Sequence, residues 1–155
     1  MEKKAAILKK PGIKGTVILD EGQFVWRKDG KRKYRYHFIG RILKESGRSW
    51  GRIGWGFDED RKKIKVILAR SISPDGKTVK YLKKKDIKIS DPAGAAQFFS
   101  KYRTLSAIIS CVDNDSIVEY IMETDTFNPM DKNIFAVSYF FRDYVPVKKI
   151  HFTGR

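Results

Sequence analysis

Three residues of this chain are of types that could build a nucleophilic site: Cys111, His37 and His151. A thiol hydrolase or acyl transferase needs a thiolate, an imidazole within hydrogen-bond reach and a third group that orients the imidazole. Cys111 followed by His151 is the chain order of a papain-type or transglutaminase-type pair. The surroundings argue against that use. Cys111 closes the apolar run Leu105–Cys111, which reads as a strand rather than as the helix N-terminus that would favour a thiolate. Only Phe152-Thr153-Gly154-Arg155 follow His151, and none is an acid. Cys111 is therefore expected as a small core residue, and no catalytic residue is assigned. With one cysteine, an internal disulfide and a multi-cysteine zinc site are both excluded.

Metal and phosphate chemistry finds equally little support. Asp58-Glu59-Asp60 is the densest acid cluster, but three consecutive acids of a strand cannot face one ion. Arg61-Lys62-Lys63 follows at once, so the segment reads as a self-balanced polar loop. Asp113-Asn114-Asp115 looks like the opening of a calcium loop, yet the required Gly is missing and Glu119 comes too early. His37 and His151 are too isolated to read as metal ligands. Gly51-Arg52-Ile53-Gly54-Trp55-Gly56 is not followed by a helical pattern, so it is no phosphate loop. No cofactor is called for. Binding chemistry fares better. Arg48, Trp50, Arg52 and Trp55 combine guanidinium and indole groups that can hold anions and stack on sugars or bases. The bland alternative is tryptophans packed in a β core beside permissive glycines. Arg35, His37 and Arg41 fall on one face of a long strand and form a second basic binding candidate.

The charge is lopsided. Residues 1–90 hold 26 Lys/Arg against 10 Asp/Glu, whereas residues 91–155 hold 7 against 8, for a chain total of +15. Such a field attracts nucleic acid, acidic glycans or anionic lipid headgroups, and it equally serves as a solvated surface with lysine-protected strand edges. At 155 residues the chain suits one domain with a sizeable core. No apolar run is long enough to cross a bilayer. Met1-Glu2-Lys3-Lys4 begins like a signal peptide, but the apolar stretch after it is too short. Residues 1–13 read as a leader and 14–155 as a single domain.

The elements that must position these groups follow a period of two. Strands are predicted at Lys14–Leu19, Gln23–Arg27, Lys31–Leu43, Lys63–Ala69, Lys77–Leu82, Leu105–Val112, Ile117–Thr124, Ile134–Phe141 and Val145–Phe152, with a short one at Asp86–Ile89. Lys31–Leu43 is the longest. It sets Tyr34, Tyr36 and Phe38 on one face and Arg35, His37, Ile39 and Arg41 on the other, with a bulge at Gly40. Ile64, Val66 and Leu68 share a face of the next strand. Glu119 and Glu123 look buried. Asp29-Gly30 is a hairpin turn. Pro74-Asp75-Gly76 is a second turn, in which Pro74 pre-sets φ, Asp75 bonds nearby backbone and Gly76 takes φ > 0. Asp113–Ser116 reads as a hairpin connection. Asp91-Pro92 starts the one candidate helix, Ala93–Tyr102. Nine or ten short strands with at most one short helix predict an all-β, antiparallel sandwich.

In order and spacing, four segments resemble a known family. They are Phe24–Leu43 with the following Glu45–Gly51, Val66–Lys77, Ile108–Tyr120 and Phe140–Val147. The chain resembles, over residues 14–153, the β-rich domain of unknown function that precedes transglutaminase-like cores in many bacterial proteins. Ser110-Cys111 and Asp115 stand where the family usually has a Pro-Gly pair and a further Gly. The resemblance implies a non-catalytic accessory domain, covalently linked to a transglutaminase-like or cysteine-peptidase-like core beyond Arg155. It also implies a periplasmic or cell-envelope setting and a protein or glycan ligand. The reading from another class is a free-standing module for polyanions, whether nucleic acid, acidic glycan or anionic membrane surface.

Overall fold

Asp29 and Gly30 turn the chain back on itself as expected. Gly30 takes φ of 80°, and its N–H donates to Arg27 O at 3.0 Å. The computed structural model describes residues 12–91, 101–134, 137–139 and 145–155. The turn joins β1 (Gly15–Trp26) to β2 (Arg32–Ile42), paired antiparallel from Gly15 opposite Ile42 to Trp26 opposite Arg32. The two strands predicted between Lys14 and Arg27 are thus one strand. It has 12 residues and exceeds β2, which was expected to be the longest. Asp20-Glu21-Gly22 resembles a breaker but stays in register. Gly22 lies under the Tyr139 ring, 2.5 Å from where a Cβ would stand, so the glycine makes room for an aromatic instead of ending the strand. The bulge near Gly40 belongs to β1. Val17 pairs with Gly40 and Leu19 with Ile39, leaving Ile18 extra.

A 3-10 helix, Glu45–Gly51, leads into β3 (Arg52–Asp58). The sequence reading contained no strand here, because glycines interrupt the alternation. β4 (Lys62–Ile72) and β5 (Val79–Tyr81) flank the Pro74-Asp75-Gly76 turn. Gly76 has φ of 73°, and Asp75 Oδ1 accepts the Lys77 N–H at 3.1 Å. A 3-10 turn at Lys84–Asp86 precedes β6 (Lys88–Ser90). β7 (Tyr102–Ile108), β8 (Ile117–Thr126) and β9 (Ile150–Gly154) follow. Residues 92–100 of the candidate helix lie outside the described residues, and Tyr102 already belongs to β7. Of the predicted strand Ile134–Phe141, Ile134 and residues 137–139 are not in a strand; its other residues lie outside the description. Val145–Phe152 is strand only from Ile150, although Val147 forms a parallel bridge with Val17.

The described strands form two sheets, ordered β5-β4-β8-β2-β1-β9 and β3-β7-β6. Every ladder is antiparallel except β1 with β9. The main core draws Ile42, Ile64, Ala69, Val118 and Met122 from the larger sheet and Ile53, Phe57, Leu105 and Ala107 from the smaller one. Burying these inner faces together is what drives a β-sandwich, at about 1.5–3 kcal/mol for each fully buried large aliphatic side chain. β4 departs from strict alternation. Its register shifts between Val66 and Leu68, so Ile64 and Val66 share a face but Leu68 turns to the opposite one and Ala69 enters the core. Asp113–Ser116 is not a hairpin. β7 lies in the small sheet and β8 in the large one, so this segment crosses between layers.

Candidate functional site

β2 and β8 pair with Ile39 opposite Glu119 and Arg35 opposite Glu123. The alternation that sends Tyr34, Tyr36 and Phe38 inward therefore places Arg35 and His37 beside the acids of β8 on the outer face, with Arg41 farther along the same face of β2. Across that face runs a row of complementary groups. His151 Nδ1 lies 2.8 Å from Glu21 Oε1, and Glu21 stands opposite His37. His37 Nε2 is 2.9 Å from Glu119 Oε1. Arg70 Nε donates to Glu119 Oε2 at 2.6 Å, and Arg70 Nη1 donates to Tyr81 Oη at 3.2 Å. The row reaches from edge strand β9 to edge strand β5.

Glu119 is its most enclosed member, at 8% exposed. Covering a carboxylate is costly unless both oxygens are bonded, and here each oxygen has its own cationic or imidazole partner. The bond to Glu119, then that to Tyr81, pushes Arg70 up from an already high value. The hydrogen bond from His151, above all, holds Glu21 below the usual glutamate value, with the charges of His151 and His37 acting in the same direction. A second cluster follows on the same face, where Arg35 Nη1 bonds Glu123 at 2.9 Å and Lys33 lies 3.9 Å from it. The expected burial of the two glutamates holds for Glu119, whereas Glu123 is half-buried.

The remaining candidate residues are dispersed. Arg41 bonds Asp115 at 2.9 Å and Arg48 lies 3.2 Å from Asp113, so both arginines grip the crossing between sheets. Trp50 packs edge-on against Phe38, with Gly15 and Gly40 beneath it. Trp55 leans on Tyr34 and Tyr36. Both indoles are half-buried against the core. Arg52 is exposed on β3 and lines a groove of about 670 Å³ with Tyr81, Lys85, Lys88, Ser106 and Ile108. The groove was not foreseen as a site.

Cys111 is exposed with φ of 57°, which corrects its expected place in the core. The small sheet has already ended at Ile108, and the chain takes a left-handed turn to cross over. Ser71 of β4 donates to Ser110 O at 2.7 Å, tying Cys111 to the β4 side. His151 lies four strand steps away on β9, about 19 Å at ~4.8 Å per step. The two residues do not form a thiolate–imidazole pair. Arg61 bonds Asp58 at 3.2 Å and Arg103 bonds Glu59 at 2.8 Å. Among the described residues, no three His, Cys, Asp or Glu side chains converge as metal ligands.

Fold and polar face together define a two-sheet β module with one ion-paired outer surface. The chain belongs to the family DUF3857, a domain of unknown function with solved structure, whose model matches residues 28–153. Among solved structures it is similar to the crystal structure of a "putative protease" from Parabacteroides distasonis, with a TM-score of 0.66 at 12% identity. The match covers 73% of this chain and 23% of that protein. At that identity the likeness carries the fold alone. No curated protein matches the chain.

Proposed function

We propose that this domain is a non-catalytic accessory module of a longer transglutaminase-like or cysteine-peptidase-like protein. In that reading it contacts the linked core or holds a protein or glycan segment for it, in the periplasm or cell envelope. The observation that carries the reading is the structural match, which covers 23% of a much longer protein described as a "putative protease". The separation of Cys111 from His151 supports assigning the chemistry to another part of such a protein. The outer row supports a role as a platform, since its charged groups pair with one another across β9 and β1 and across β2, β8 and β4.

The parental gene supplies the test. An open frame running past the Arg155 codon into a Cys, a His and an Asp at transglutaminase or peptidase spacing is the expected result. A stop codon directly after Arg155 would remove the linked core and overturn the reading.

A further inference from the structure

We infer that the groove between β3, β7 and the β5–β6 connection is a docking site for an extended acidic peptide segment. This rests on the accessory reading and names the chemistry of the segment held.

Three observations meet in the groove. First, its rim is basic and uncommitted. Among the described residues none of its cations Arg52, Lys85 and Lys88 has a carboxylate within 4.0 Å, and they outnumber the single acid of the lining, Asp86. This contrasts with Arg35, Arg41, Arg48, Arg61, Arg70 and Arg103, which all have acid partners. Second, the groove runs along an open strand edge. Ile109 N–H donates to Gly51 O at 2.8 Å, which makes Gly51 and Ile109 a hydrogen-bonded pair. In the alternating antiparallel ladder, Arg52 and Ile108 are then a non-bonded pair, and Ile108 turns its N–H and C=O away from β3. The ladder on that other side stops at Lys88 opposite Ser106. Asp86, next in line to pair with Ile108, donates instead to Lys83 O within the 3-10 turn, at 2.9 Å. Third, Ile108 is 68% exposed and Tyr81 57% exposed, giving apolar contact between the cations.

An extended peptide can use all three. Its main chain pairs with Ile108, its carboxylates face Arg52, Lys85 and Lys88, and its apolar side chains meet Ile108 and Tyr81. A nucleic acid or acidic glycan would use the lysines but leave the strand edge unpaired, so peptide is the favoured occupant.

The test is fluorescence anisotropy with a labelled alternating Glu-Val peptide of about ten residues, the length that strand addition uses. Saturable binding is expected, with at least about a tenfold loss of affinity in Lys85→Glu/Lys88→Glu, because two attractive contacts become repulsive. Lys28→Glu, a reversal in the β1–β2 turn, should bind like the parent, and circular dichroism checks that both variants fold. A Glu-Val peptide N-methylated on alternate amides should bind at least about tenfold more weakly, since strand pairing is lost. The inference is overturned by no binding, by equal binding of the methylated peptide, by equal loss in Lys28→Glu, or by an oligothymidylate or chondroitin sulfate that binds more tightly than the peptide. The gene readout is independent of this assay. Binding without a downstream core keeps the groove and removes the linked enzyme, and a core without binding does the reverse.

Discussion

Glu119 shows how a charge can be held under cover on the outer face of a sheet. Its two oxygens are shared between His37 and Arg70 at 2.9 and 2.6 Å, so removing one partner leaves a covered carboxylate half-satisfied. Arg70→Ala is expected to cost about 3 kcal/mol, near the lower end for breaking a covered pair. Urea denaturation reads this directly, and a loss under about 1 kcal/mol would mean that water replaces the guanidinium. Glu21 adds a pH dependence of known sign. Its folded value is depressed, chiefly by the His151 hydrogen bond, so its contribution is full above the ordinary glutamate value and is lost as pH falls through the folded one. Between pH 5 and pH 3 the urea midpoint should fall less in Glu21→Gln than in the parent; parallel curves would remove Glu21 from the acid response. That Arg35, His37 and Arg41 share a face was legible from alternation alone. That each would find an acid was not, because the partners sit on β8 and beyond it, more than seventy residues away.

At the scale of elements, the local signals and the long-range ones separate cleanly. Asp29-Gly30 and Pro74-Asp75-Gly76 were readable because a turn's requirement for φ > 0 is met by its own residues. β3 was hidden because glycines interrupt its alternation, and one of them answers to another strand: a Cβ on Gly56 would run into the Tyr102 hydroxyl of β7. The β4 bulge and the crossing at Asp113–Ser116 were hidden for a similar reason, since they depend on which sheet each neighbour joins. Two glycines test this view of close approach. A Cβ on Gly40 would sit 2.6 Å from the Trp50 ring, whereas one on Gly54 has nothing within 4 Å. Gly40→Ala should therefore cost about 1–3 kcal/mol through overpacking and shift the tryptophan emission. Gly54→Ala should be neutral or mildly stabilising, as expected for an open strand position. Equal effects in thermal melts would show that Trp50 moves aside freely.

For the molecule as a whole, the strand order puts the first and last described strands side by side in the larger sheet. β9 lies parallel to β1 and covers its outer edge. Trp26 donates to Arg155 O at 2.8 Å, Arg155 donates to Phe24 O at 3.1 Å, and Lys148 donates to Val17 O at 2.8 Å. Val145 adds an apolar plug, 8% exposed, against Val17 and Phe38. No sequence signal announced this, since a parallel edge pair joins segments from opposite ends and its hydrogen bonds are indifferent to side-chain type. The arrangement assigns two jobs to the last eleven residues: filling the second small core and protecting β1. Removing residues 145–155 should withdraw at least one buried valine, worth about 1.5–3 kcal/mol, together with the cross-links to Val17, Phe24 and Trp26. A fall in Tm of roughly 5–10 °C follows for a chain of this size. The uncovered β1 edge offers unpaired backbone groups to a second copy, so the shortened chain should also self-associate with rising concentration in sedimentation velocity. Lower stability with a strictly monomeric chain would assign the segment to the core alone. Unchanged stability would show that β2 suffices to hold β1 in place.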